Sequence, residues 1–244
     1  MTTLSTDEQT KQDETWAKPV SALNVTGIPA QAINLNVEGR HLQGPLNGFG
    51  QLWQKTYKVR LSGTTVKPTE VIQLWKKAFP TFWPKGNDFY APLTCIEPGE
   101  VAVLNLAAPG GMKLSTGVMV VYADDLSFAF MTPEGHMFAS IITFSAYEEG
   151  GVTVAQVQPL LRASDPFYEL GCRLGVVFRI EDRFWHATLK NLVATFGVRG
   201  LVQQSVTCVD PRVQWSEAKN IWHNAAIRSG LYLPVRLVRK LWNR

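Results

Sequence analysis

No apolar run in this sequence approaches the 18 or more residues of a membrane-spanning helix, and its longest weakly charged stretch, Val101 to Ala123, is broken by Pro109-Gly110-Gly111. That stretch reads as strand, turn, strand. Cysteine is scarce: Cys95, Cys172 and Cys208 are the only three in 244 residues and lack C-x-x-C spacing. Their odd count and spacing imply no disulfide framework or zinc knuckle and favour free thiols in a reducing compartment. Also missing are G-x-x-x-x-G-K-[ST], G-x-G-x-x-G after a strand, and G-x-S-x-G, so neither a nucleotide cradle nor a hydrolase elbow is supported. The four histidines, His41, His136, His186 and His223, share no ligand spacing, and neither a metal nor a cofactor is expected. The first eighteen residues carry Asp7, Glu8, Asp13 and Glu14 and no apolar stretch, unlike a secretory signal, so a cytoplasmic location is the expectation.

What is present is an ordinary globular composition, 45% hydrophobic and 18% charged. The net charge of +4 is unevenly placed. From Arg199 to Arg244 eight basic residues face Asp210 and Glu217, a local +6 that leaves −2 for the preceding 198 residues. The tail, not the body, is therefore what should meet an anionic partner.

Three regions follow from the patterning. Residues 1–50 form a polar, glycine- and proline-punctuated lead-in, 51–197 the body, and 198–244 a basic extension. The body opens with a half-buried strand in which Trp53, Tyr57, Val59 and Leu61 share one parity. Pro68 then begins a short amphipathic helix through Val71, Leu74, Trp75, Ala78 and Phe79, stopped by Pro80. Between Glu100 and Leu161, runs at 100–107, 115–122, 126–132, 136–147 and 152–161 are divided by short turn signals, which predicts an antiparallel meander. Ser164-Asp165-Pro166 supplies a helix start, and Leu170, Leu174, Val177, Phe178, Phe184, Trp185, Leu189, Leu192 and Phe196 form one stripe. A single helix of about thirty residues, ~45 Å long, is the expectation.

A meander followed by one long helix is an α+β order in which the sheet is expected to curl around the helix and enclose a cavity. It resembles the helix-grip fold of the START-like or SRPBCC superfamily, over about residues 51–197. Thr132-Pro-Glu-Gly-His136 leading into a strand and Arg162-Ala-Ser-Asp-Pro166 opening the long helix are similar to an uncharacterised bacterial branch of that superfamily. Where members of that branch often carry a Gly-Glu pair, this sequence has Ser140 and Ile141. The resemblance implies an apolar or amphipathic small molecule as partner, whether lipid, polyketide-like or aromatic. It also admits an enzyme of the cyclase, aromatase or hydratase type.

Glu181 and His136 are the candidate acid–base groups. Glu181 falls near the middle of the helical stripe, where it reads either as a pocket carboxylate for a polar ligand group or as a group that a helix bend lets reach solvent or pair with an internal arginine. His136 shares parity with Phe138, Ile142 and Phe144; it reads either as a general base or as a core histidine bonded to a backbone carbonyl. The two are expected within about one water's reach of each other, so that a network can offset their desolvation. Gln156 and Gln158 share parity with Val152 and Val154 and are expected to bring polar atoms onto an apolar face. Twelve Phe, eight Trp and six Tyr supply the rest. Trp53, Tyr57, Trp75, Phe79, Phe128, Phe130, Phe138, Phe144, Phe178 and Trp185 are the expected ligand-binding aromatics, either lining a cavity or filling the core.

In the extension, Val235, Leu237, Val238, Leu241 and Trp242 alternate with Arg236, Arg239, Lys240 and Arg244 in a short basic amphipathic pattern. It suits contact with an anionic membrane surface, or packing on the body with its cations in water. No nucleic-acid partner is expected, because the body is slightly acidic and no recognition motif appears.

Overall fold

A computed structural model of the chain describes residues 14–90, 96–108 and 111–232. Eight strands form one antiparallel sheet: β1 (Leu52–Arg60), β2 (Asp88–Tyr90), β3 (Val101–Ala107), β4 (Lys113–Ala123), β5 (Ser127–Met131), β6 (Phe138–Glu149), β7 (Val152–Ala163) and β8 (Gln203–Asp210). Their order is β2-β3-β4-β5-β6-β7-β1-β8. The helices are α1 (Pro68–Ala78), α2 (Pro166–Arg173), α3 (Val176–Ala194) and α4 (residues 225–232).

The strand pattern expected between residues 100 and 161 is observed as the β3–β7 meander, paired in sequence order. Alternation places one set of side chains on an inner face: Tyr57 and Val59, Leu104, Val118, Phe128 and Phe130, Phe144, and Val157. α1 contributes Val71, Ile72 and Trp75 to the same core, and α3 contributes Trp185, Leu189, Leu192 and Val193. The outer face is covered by the lead-in. Leu23 and Val37 pack there against Val101, Val103, Met119, Val121 and Ala129, and Gly117 is required because a Cβ would lie 2.8 Å from Val37.

One expected helix is two. Gly175 adopts φ 70°, where only glycine is free of strain, and ends α2 before α3 starts. α3 has 19 residues, roughly 28 Å, rather than ~45 Å. The break also re-phases the stripe: Leu170 and Leu174 are 57% and 64% exposed, whereas Trp185, Leu189 and Leu192 are buried.

The C-terminal extension adds a strand to the sheet: β8 pairs with β1 from Lys58↔Gln203 to Leu52↔Asp210. Beyond it, Asn224 Nδ2 donates to Asp165 Oδ2 at 2.8 Å. Asp165 in turn caps α2 by accepting from the Phe167 and Tyr168 amides at 2.8 and 3.1 Å. Buried Arg162 ties the three regions together, donating to Gly50 O at 2.6 Å, Arg212 O at 2.8 Å and Asp210 Oδ2 at 2.8 Å. Among the described residues no helix is long and apolar enough to cross a membrane. Cys172 and Cys208 are free thiols; Cys95 lies outside the described residues, as do Arg236, Arg239, Lys240, Trp242 and Arg244.

Candidate functional site

Inner-face side chains and α3 leave a cavity of about 100 Å³ between them. That is the order of an apolar cavity able to hold a benzene-sized guest. Phe79 and Trp83, from the turn after α1, wall it together with Leu104, Leu106, Val118 and Phe130. The other walls are His136, Met137, Phe138, Ser140, Ile142, Pro159 and Leu161 from the sheet, and Ile180, Glu181, Phe184 and Trp185 from α3.

Six of the expected ligand-binding residues come together here: Phe79, Phe130, His136, Phe138, Glu181 and Trp185. The other aromatics have different places. Trp75, Phe128 and Phe144 are fully buried beside Phe79, with Phe128 stacked on Phe144 at 4.7 Å and Trp75 edge-on to Phe144 at 5.4 Å. They fill the core. Trp53 and Phe178 meet edge-on at 5.9 Å in a neighbouring cluster, and Tyr57 is buried beneath α3. Gln156 and Gln158 face away from the cavity, bonding Ser145 at 3.4 Å and Thr56 at 3.1 Å. Parity with Val152 and Val154 selects the outer face of β7, because its inner residues are Ala155, Val157, Pro159 and Leu161.

The residue that sequence reasoning passed over is Lys55. It shares parity with Trp53 and Tyr57, and is 1% exposed. Its Nζ donates to Glu181 Oε2 at 2.9 Å and to Asp182 Oδ1 at 2.5 Å, and lies 4.6 Å from the Phe178 ring centre. Asp182 Oδ1 also accepts from Tyr57 OH at 2.6 Å and from Gln204 Nε2 at 3.0 Å. The internal cation opposite Glu181 is thus lysine, not arginine. Burial pushes the Glu181 carboxyl up to about 7, against the downward pull of Lys55.

His136 is held by its own turn. Gly135, at φ 84°, packs so closely on the C-terminal extension that a Cβ would overlap His223 O, and Gly135 O accepts from the Ala225 amide at 2.9 Å. Nδ1 of His136 lies 3.0 Å from both the amide and the carbonyl of Phe138. This is the core-histidine arrangement, and burial brings the imidazole down to about 4, so it is neutral at neutral pH. Glu181 and His136 share the cavity, but among the described residues no hydrogen bond joins them: the carboxylate is committed to Lys55. Two further polar groups sit in the wall. The indole N–H of Trp83 is buried without a hydrogen-bond partner, a state that costs about 1–3 kcal/mol, whereas that of Trp185 lies beside the Glu181 carboxylate and opposes the rise in its proton affinity. Among the described residues no cluster of His, Cys, Asp and Glu could hold a metal ion.

No family model and no curated protein matches the sequence. Among solved structures, the fold is similar to protein Ms6760 from Mycobacterium smegmatis, at 14% identity and TM-score 0.41 over 64% of this chain and 96% of that one. It is also similar to the di-domain ARO/CYC StfQ from the steffimycin biosynthetic pathway, at 11% identity and TM-score 0.48 over 61% of this chain and 53% of that one. A protein from Thermus thermophilus shares 19% identity at TM-score 0.41, over 59% of this chain and 94% of that one.

The opposite shifts of Glu181 and His136 give a testable pH signature. Glu181, raised from 4.5 to about 7, holds its proton longer when folded, so its contribution to stability falls as pH rises through that window. His136, lowered from 6.5 to about 4, binds its proton less well when folded, so its contribution rises over its window. The two largely offset each other between. Thermal melts of Glu181→Gln should therefore gain stability relative to wild type as pH rises from 4.5 to 7. A difference that stays constant with pH would place Glu181 in water.

Proposed function

We propose that this chain binds or transfers an apolar or amphipathic small molecule in the cavity between the sheet and α3, as a member of the START-like, helix-grip group. The observation that carries this reading is an apolar-walled cavity with a small number of polar residues in its lining, Asn87, His136, Ser140 and Glu181, beside the Trp83 and Trp185 rings. Ligand sites have that composition: mostly apolar walls and a small number of placed polar groups. In this reading the meander and α3 grip the ligand, α1 and its turn close one end, and the residues that touch it are Phe79, Trp83, Phe130, His136, Phe138, Glu181 and Trp185.

A rival of another class is a cyclase-, aromatase- or hydratase-type enzyme using Glu181 and His136 as acid and base. One observation favours it: a carboxyl near 7 and an imidazole near 4 in one cavity are two groups pushed apart in proton affinity. The commitment of Glu181 to Lys55, with a neutral His136, favours the binder. Incubating whatever small molecule is extracted from the protein purified from its own cells with wild type and Glu181→Gln separates them. Conversion that depends on Glu181 establishes the enzyme, and an unchanged molecule removes it.

The tail residues Arg236, Arg239, Lys240, Trp242 and Arg244 are proposed to hold the protein reversibly at anionic bilayers, each cation contributing about 1 kcal/mol near the surface. Flotation with anionic vesicles should lose recovery when residues 231–244 are removed or salt is raised. Equal recovery of both proteins rejects membrane contact.

For the cavity itself the probe is para-fluorophenol, a ring with one hydroxyl, followed by fluorine NMR. Saturable binding to wild type is expected, lost in Leu161→Trp, which fills the cavity, at a comparable Tm. Absence of saturation, or binding that survives Leu161→Trp, contradicts the proposal.

A further inference from the structure

A second pocket, of about 160 Å³, lies beside the first, between the β3–β4 hairpin, α2, α3 and α4. Met112 and Leu114 from the hairpin, Val177 from α3 and Ala226 from α4 give it apolar walls. Ala107, Met137 and Ile180 belong to the walls of both spaces. Of these three, the two longer side chains form much of the partition, and one of them, Met137, is unbranched, half-buried and adaptable in its rotamers. Ile180 is 46% exposed and holds the other side.

The polar groups are unequally shared. Trp83, whose indole N–H has no hydrogen-bond partner, lines the inner cavity with His136 and Glu181, whereas the outer pocket's polar groups are already engaged. Lys113 Nζ pairs with Asp88 at 2.9 Å, and Ser229 Oγ accepts from the Ser115 amide at 3.1 Å. Size points the same way. The inner cavity alone is well below an ordinary small-molecule site, roughly 300 Å³ at the lower end, and the two spaces joined come near it.

We infer that the ligand spans both spaces: an oxygen-bearing ring in the inner cavity, and a flexible apolar tail passing between Met137 and Ile180 into the pocket roofed by α4. This rests on the proposed cavity-binding function and adds the shape and polarity of the guest. It also gives α4 a role in choosing tail length, because Ala226, Ser229 and Gly230 form the far wall.

The test is displacement of para-fluorophenol by para-alkylphenols from ethyl to octyl, kept below their aggregation limits. For wild type, affinity should climb about ten-fold or more along the series as methylenes enter the outer pocket. In Val177→Trp, which fills the outer pocket from a wall that the inner cavity does not share, the climb should shrink to less than about three-fold, while para-ethylphenol changes by less than about two-fold. Ala226→Phe, which fills the outer pocket from α4, should do the same and covers the case in which the first variant folds poorly. A climb that persists in a folded variant, or is absent from wild type, overturns the two-chamber inference and leaves cavity binding intact. Failure of para-fluorophenol itself to bind takes both down.

Discussion

Burying the Lys55–Glu181 pair is the constraint around which the rest is arranged. An ammonium at 1% exposure and a carboxylate at 9% cannot be left single in such a setting, because an unpaired buried charge is far more destabilising than the pair is stabilising. Lys55 sits on β1 and Glu181 on α3, elements 126 residues apart in sequence, so satisfying the pair fixes where α3 lies on the sheet. Once it is there, Phe184 and Trp185 follow onto the cavity side and Leu189 and Leu192 onto the core. Asp182, one residue on, takes the second hydrogen bond of Lys55 and carries the network outward through Tyr57 and Gln204. Gln204 is on β8, so the added strand also holds this network in place.

The segments outside the body serve the same geometry from behind. The lead-in seals the outer face, with Asn36 Nδ2 donating to Ser115 O at 2.9 Å and Asn36 Oδ1 accepting from Arg228 at 2.9 Å. The C-terminal extension supplies Asn224 to the Asp165 cap and presses on the Gly135 turn that presents His136. Ring packing around Phe79 then sets the depth of the cavity. Phe79 lies within 5.6 Å of Phe89, Phe128, Phe130 and Phe144, all at steep angles, a dense arrangement that leaves little free volume on that side.

Much of this was legible in the residues. Short turns between apolar runs announced the meander, Asp165-Pro166 the cap of α2, and the parity of His136 with Phe138 and Phe144 its inward direction. Other features were masked by physical conflicts. Lys55 has the parity of a buried residue and the charge of an exposed one, and only a partner elsewhere in the chain resolves the contradiction. Gly175 was the stop signal in an otherwise continuous helical stripe, but the stripe has the same spacing on both sides of it. β8 is polar at five of its eight positions and carries no strong apolar alternation, because it is an edge strand exposed along most of its length. Gln156 and Gln158 misled because β7 carries apolar residues of both parities, as expected of a strand covered on both faces toward its two ends and on one face in its middle.

The central claim is that the space beside Lys55–Glu181, walled by Trp83, Phe130, His136 and Trp185, holds a small molecule. Native mass spectrometry of the protein purified from its own cells tests it most directly. The account predicts an excess mass that is lost on denaturation and absent from Leu161→Trp. A wild-type mass equal to the bare chain under gentle conditions, with no molecule recovered in an organic extract, would contradict it.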